Sequence, residues 1–108
     1  MINEQNTGKC YITILLFVIK GKEDVFNEYE EKVLPLLSRH QGQLLYRIRP
    51  EAQQYITPQD EYPYEIHIVS FETITGFEQY KADKDRQSHA YLFRESVSKT
   101  LMIEGFVR

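Results

Sequence analysis

His67 and Glu65 stand two residues apart in YEIHIVSF, residues 64–71, a run whose β-branched and aromatic content reads as a strand. Side chains two apart on a strand share a face, so an imidazole and a carboxylate are held side by side. Arg47, in QLLYRIR at 43–49, belongs to another such run and is placed to join them if the two strands are neighbours. A histidine with a carboxylate partner and a nearby guanidinium suits acid–base work on an enolisable or phenolic substrate. In that reading His67 moves the proton, Glu65 orients it, and Arg47 holds developing negative charge. The same three residues also fit an ion-paired network that satisfies His67 at a subunit seam and sets register there.

The remaining candidates are weaker. Tyr11, Tyr46, Tyr64, Tyr80 and Tyr91 have the apolar bodies and polar tips of an aromatic-binding cavity, and of these Tyr11, Tyr46 and Tyr80, with His89, are assigned to ligand binding. Eight tyrosines without a tryptophan are equally explained as core residues with polar tips. His89 lies in a helical stretch, four residues after Asp85. A lone helical histidine can ligate haem iron, but no cofactor signature accompanies it, and a surface or capping role is simpler. His40 falls in the last turn of another helix, where it complements the dipole. The sequence contains no Cys-x-x-Cys, His-x-His or HExxH, no Gly-rich phosphate loop and no G-x-S-x-G elbow. No metal and no cofactor is therefore expected.

The elements that must position these residues follow from periodicity. YITILLFVIK at 11–20 is a central strand, stopped by Gly21. From Glu23 to Arg39 the period is helical: Val25, Tyr29, Val33 and Leu37 recur every fourth residue with Phe26 and Leu36 alongside, and Glu28, Glu30, Glu31 and Lys32 fill the other side. Pro35 lacks the N–H that would bond the Glu31 carbonyl, so a kink or a tightened last turn is predicted there, with Gly42 ending the element. Gln43–Arg49 is a strand with Leu44, Tyr46 and Ile48 on one face and Leu45, Arg47 and Arg49 on the other. PEAQQYITPQDEYP, 50–63, is a loop with three prolines, and Tyr64–Phe71 is the third strand. Thr73 caps a helix weakened by Gly76. Asp83 caps another, Lys84 to Val97, with Ala90, Phe93 and Val97 as its stripe. Lys99–Val107 is the last strand, with Gly105 marking a bulge.

The order is β-α-β-β-α-β: an α+β, ferredoxin-like fold with a four-stranded antiparallel sheet ordered 4-1-3-2 and both helices on one face. Residues 1–10 are polar and expected to be flexible, leaving 11–108 as one domain. An RNA-recognition module of the same order needs an aromatic third strand, and Glu65 stands in the way. Net charge is −3, with 13 Lys+Arg against 16 Asp+Glu, which offers no basic footprint for nucleic acid or anionic membrane. The longest apolar run, Tyr11–Ile19, is half a membrane span. One cysteine, Cys10, fits a reducing compartment, and a cytoplasmic location is expected.

Both parities of the first strand are apolar: Ile12, Ile14, Leu16 and Val18 on one side, Tyr11, Leu15, Phe17 and Ile19 on the other. The last strand repeats this, with Leu101 and Ile103 opposing Met102 and Phe106. A half-solvated sheet alternates apolar with polar residues. Two helices cover one face only, so the other exposes more than an ordinary apolar patch. The economical cover is a second copy packed sheet on sheet, a two-fold homodimer.

The stretch Tyr29…Pro35…His40-Gln41-Gly42-Gln43-Leu44-Leu45-Tyr46-Arg47 resembles the "Y…P…hGG…L.R" passage of small uncharacterised bacterial proteins. These belong to the dimeric α/β-barrel superfamily, beside antibiotic-biosynthesis-monooxygenase-like and EthD-like proteins. Glu65–Phe71, Phe77–Asp83 with Arg86, and Glu104-Gly105 are similar as well; Gln41 stands where the family commonly has a first glycine. The resemblance implies a dimer of ferredoxin-like subunits with any small-molecule pocket between sheet and helices. Two functions are compatible with it. One is a cofactor-independent monooxygenase- or isomerase-like enzyme acting on a small aromatic or carbonyl compound. The other is a non-catalytic small-molecule-binding or structural dimer module.

Overall fold

The computed structural model describes residues 8–107. Strands β1 (Cys10–Val18), β2 (Gly42–Ile48), β3 (Glu65–Phe71) and β4 (Val97–Gly105) form one antiparallel sheet in the order β2-β3-β1-β4. This is the predicted 4-1-3-2 order read from the other edge. Helices α1 (Glu23–Val33), α2 (Ile74–Ala82), α3 (Lys84–Ser88) and α4 (Ala90–Ser96) lie over one face. Of the segment expected to be flexible, the first seven residues lie outside the described ones, and Cys10 already belongs to β1 and is fully buried.

Pro35 acts as predicted. After Val33 the chain tightens into a 3₁₀ segment, Leu34–His40, because the helical bond to the Glu31 carbonyl has no donor. The segment ends elsewhere than expected. Gln41, not Gly42, takes the left-handed conformation, with φ of 61°. Gly42 instead allows a close approach: a Cβ there would sit 2.6 Å from Phe71 Cε1. Gly76 does similar service in α2, where a Cβ would come within 2.5 Å of the His40 carbonyl oxygen. Thr73 caps α2 as expected, its hydroxyl accepting from the Gly76 N–H at 3.2 Å.

Three expectations need correction. The stretch 84–97 is two helices broken at His89, and its buried residues are Leu92 and Ser96, not Ala90 and Val97. The last strand begins two residues early and its bulge is at Ser98, not Gly105: Phe17 pairs with Lys99 and Val18 with Val97. The extra Ser98 donates its hydroxyl to the Phe17 carbonyl at 3.0 Å, which satisfies a group the bulge would orphan. Third, the buried side of α1 carries Phe26, Tyr29, Glu30 and Val33, so Glu30 faces inward and not to solvent.

The core lies between sheet and helices, built on Cys10, Ile12, Val69, Phe71, Phe77 and Tyr80, with Tyr29, Val33 and Leu92 as a second cluster. Among the described residues none covers the opposite sheet face. Tyr46, Ile48, Leu101 and Ile103 are 45–61% exposed on it, flanked by half-buried Leu15, Phe17, Ile66 and Ile68. Among the described residues no helix is long and apolar enough to cross a membrane.

Candidate functional site

A β-bulge decides which face Arg47 occupies. Leu44 pairs with Val69 and Tyr46 with Ile68, so Leu45 is an extra residue and the parity of β2 inverts after it. Leu44 therefore points to the core, Tyr46 and Ile48 point out, and Arg47 lies directly opposite His67. Strict alternation would have grouped Leu44 with Tyr46; the bulge separates them and turns Arg47 and Arg49 toward the helix side.

Glu65 is fully buried at the centre of the cluster. Arg47 Nε donates to its Oε2 at 2.8 Å, and Arg49 donates to Oε1 from Nη2 at 2.6 Å and from Nε at 3.1 Å. His67 Nε2 is hydrogen-bonded to the same carboxylate. Burial pushes the Glu65 carboxyl up, but the hydrogen bonds from His67, Arg47 and Arg49 outweigh it and hold it at about 2. Arg49 is itself fixed, donating to Asn27 Oδ1 at 3.0 Å and lying over the Tyr64 ring at 4.4 Å.

Glu30 reaches the cluster from α1. Its Oε1 stands 3.5 Å from His67 Nε2, and both side chains are only 4% exposed. Unlike Glu65, it has no guanidinium bound to it among the described residues. Burial drives its carboxyl up to about 7, with His67 opposing and Glu65 reinforcing the rise. Two buried carboxylates thus flank one imidazole, one firmly ionised and the other poised near neutrality. Environments that separate two such groups are a mark of acid–base sites.

Glu30 and His67 border a cavity of about 80 Å³ between sheet and helices, with apolar walls from Ile14, Leu16 and Phe93. Tyr29, Tyr80 and Arg86 supply its other polar edges. The Tyr80 hydroxyl donates to the Val33 carbonyl at 3.3 Å, and burial pushes its phenol up to about 12. At roughly 30 Å³ for each water in the liquid, the enclosed space suits about two or three waters, or the carboxylate end of a small acid.

The structure brings together His67, Glu65, Arg47 and Tyr80 among the residues singled out from sequence. It places Tyr11 and Tyr46 elsewhere: both point to the open face, Tyr11 because odd positions of β1 face away from the helices, Tyr46 because of the bulge. His89 begins α4 and does not line the cavity. Arg47 is also corrected in role, since its Nε is committed to Glu65. Glu30 was assigned to the solvated side of its helix, although its spacing from Phe26 and Val33, four and three residues, is that of the buried stripe. Helical spacing marks Tyr29 as core, and Arg86 carries no signal in the sequence beyond the family resemblance, yet both line the cavity.

Glu30, Glu65 and His67 offer ligand atoms within 4.8 Å of one another, a metal-like composition. Both oxygens of Glu65 already accept from guanidinium groups, however, and a dication would stand against the charges of Arg47 and Arg49. The donor set fits a proton site better than a metal site.

A second histidine–carboxylate–arginine group joins the 3₁₀ segment to α3. Asp83 accepts from the N–H groups of Asp85 and Arg86 at 2.8 and 3.2 Å as the predicted cap, while His40 Nε2 stands 2.6 Å and Arg39 Nη1 3.1 Å from its Oδ2. The His40 hydrogen bond, backbone donors and Arg39 lower its carboxyl to about 2 despite burial.

No protein-family model matches the chain, and no curated protein matches it. Solved structures do. A protein of unknown function from Rhodopseudomonas palustris superposes with a TM-score of 0.81 at 15% identity, over 94% of this chain and 84% of that one. A dimeric protein of unknown function with a ferredoxin-like fold from Bacteroides fragilis gives 0.69 at 10% identity, over 93% and 97%. A Dabb-family protein with a ferredoxin-like fold from Mesorhizobium loti gives 0.68 at 15%, over 94% and 98%. The fold is ferredoxin-like. The similarity reaches uncharacterised Dabb- and NIPSNAP-type structures and assigns no activity.

Proposed function

We propose that this protein is a homodimer, paired through its open sheet faces, whose subunits each catalyse a cofactor-independent proton transfer on a small carbonyl or phenolic compound. The observation that carries this reading is Glu30: a buried carboxyl bordering a cavity, poised near neutral pH and bound by no arginine. A general base works best when its pKa lies near the operating pH. Glu30 takes a proton from carbon or oxygen of the substrate, leaving an enolate or phenolate. His67 relays or returns that proton, and ionised Glu65 fixes the imidazole in place. Arg47 and Arg49 act as positioning residues through Glu65. Reprotonation at another carbon completes an isomerase-like reaction; in a monooxygenase-like course dioxygen is the oxidant, the carbanion forms a C–O bond to it, the peroxide takes up the proton, and O–O cleavage with loss of water leaves a new carbonyl.

The pairing rests on the exposed apolar face and on the dimeric state of the Bacteroides fragilis neighbour. A second reading, a non-catalytic binding or structural dimer, is favoured by cavity volume alone, because about 80 Å³ is below the roughly 300 Å³ at which drug-sized ligand sites begin. Solvent-deuterium exchange into a panel of small ketones, keto acids and phenols separates the two. Exchange that falls roughly 100-fold or more in both Glu30→Gln and His67→Ala supports catalysis. Binding without exchange leaves the module.

A further inference from the structure

Among the described residues Arg86 is the charged group lining the cavity that has no ion-pair partner. Arg39, Arg47 and Arg49 each hold a carboxylate. Among the described residues Arg86 forms no such pair, and its Nε is buried without any hydrogen-bond partner. The guanidinium is held in place from two sides. Its backbone N–H is fixed by Asp83 at 3.2 Å, and its charged end lies over the Tyr80 ring, 4.8 Å from the centroid. A stacked guanidinium keeps its in-plane donors for an acceptor beside the ring.

The charges around the cavity point the same way. Arg86 is the guanidinium among the lining residues and stands against Glu30, whose carboxyl burial raises toward neutrality, while Arg47 and Arg49 lie outside the lining and are paired with Glu65. Tyr29 and Tyr80 complete the polar lining, and both phenols are raised by burial and stay neutral. A buried donor without an acceptor is costly, and an anion arriving in the cavity relieves it.

We propose that Arg86 anchors the ligand of this cavity and that the ligand is a small monoanion, an aromatic or keto carboxylate. Its carboxylate pairs with the Arg86 guanidinium inside the cavity that Phe93 and Glu30 also line. This inference names the substrate class of the proton-transfer site proposed above and rests on the same cavity.

Benzoate and its neutral, equal-sized analogue benzamide test it, titrated into isotope-labelled protein and followed by amide and side-chain NMR shifts. Benzoate is expected to shift cavity residues and to bind at least about tenfold tighter than benzamide, as a charge-assisted contact predicts. Arg86→Gln is expected to remove at least about tenfold of benzoate affinity and leave benzamide unmoved, with Arg86→Lys between the two. Equal affinities, no benzoate shifts at the cavity, or undiminished binding by Arg86→Gln each overturn the assignment. If Arg86→Gln fails to fold, the wild-type benzoate-to-benzamide ratio and the Arg86→Lys variant decide. Glu30→Gln separates the two readings: it is expected to keep benzoate binding while losing deuterium exchange. Arg86-dependent benzoate binding with exchange indifferent to Glu30 retains the anion site and discards the proton-transfer chemistry.

Discussion

Two histidine–carboxylate–arginine groups lie on this small domain, and they differ in what they leave uncommitted. Around Asp83 every acceptor is used: two backbone donors, Arg39 and His40 converge on one carboxylate that ties the 3₁₀ segment to α3. Around Glu65 the arginines and His67 converge in the same way, but a second carboxylate, Glu30, stands 3.5 Å from the imidazole and has no other ion-pair partner among the described residues. The first arrangement is a clasp. The second is a clasp with a titratable group added and a cavity beside it. Residue types alone do not distinguish a structural ion network from a reactive one; the presence of a group held away from its ordinary pKa and open to a ligand does.

The largest effect should come from removing the centre of the sheet cluster. Glu65→Gln leaves Arg47 and Arg49 facing a neutral amide in a buried site. Breaking one side of a buried pair costs about 3–5 kcal/mol, and because both arginines are about 40% exposed the lower end, about 3 kcal/mol in urea unfolding, is expected. Glu65 is lowered in the fold, so its stabilisation is present above the ordinary carboxylate pKa and is lost as pH falls toward 2. The gap between wild type and variant should close over that range. An unchanged gap would mean that shape, not charge, holds the cluster.

Glu30 should behave with the opposite sign. Its carboxyl is raised from 4.5 to about 7, so the folded state binds the proton more tightly and stability declines as pH climbs between those values. At about 1.4 kcal/mol per unit the ceiling is about 3 kcal/mol. Coupling to His67 makes about 2 kcal/mol a sensible expectation. Glu30→Gln should therefore match wild type near pH 4.5 and exceed it by about that amount at pH 8, while exchange activity is lost. A variant destabilised at pH 8 would show that the Glu30 charge is welcome, and the comparison with Asp83 would lose its point.

How much of this was legible beforehand follows from which forces act locally. Alternation in β3 put Glu65 and His67 on one face, and the Pro35 and Thr73 signals are one-residue effects, readable where they stand. The sheet topology follows from the β-α-β-β-α-β order of the elements, which is readable without their boundaries. The placement of Arg47 was not readable, because a single bulged residue, Leu45, inverts the parity of β2 and nothing in QLLYRIR marks it. The break at His89 is likewise unpunctuated, with no Gly or Pro nearby. Glu30 departs from expectation because charge is a poor proxy for exposure on this helix. Its spacing from Phe26 and Val33 puts it on the buried stripe, and a glutamate on a buried stripe is itself the signal.

The smallest effect tests the clasp. Asp83→Asn keeps a side chain able to cap α3 and removes only the charge that His40 and Arg39 meet. Because the Asp83 carboxyl is lowered from 3.8 to about 2, its contribution is present above 3.8 and disappears as pH falls through 2. The variant should melt a little below wild type at pH 7, and the two curves should converge near pH 2. Deuterium exchange and benzoate affinity should not move, since no member of the Asp83 carboxylate group borders the cavity; Arg86 is linked to it only through its backbone N–H. If Asp83→Asn altered either readout, the two clusters would be coupled through α3, and the division between a structural and a reactive histidine would have to be redrawn around Arg86.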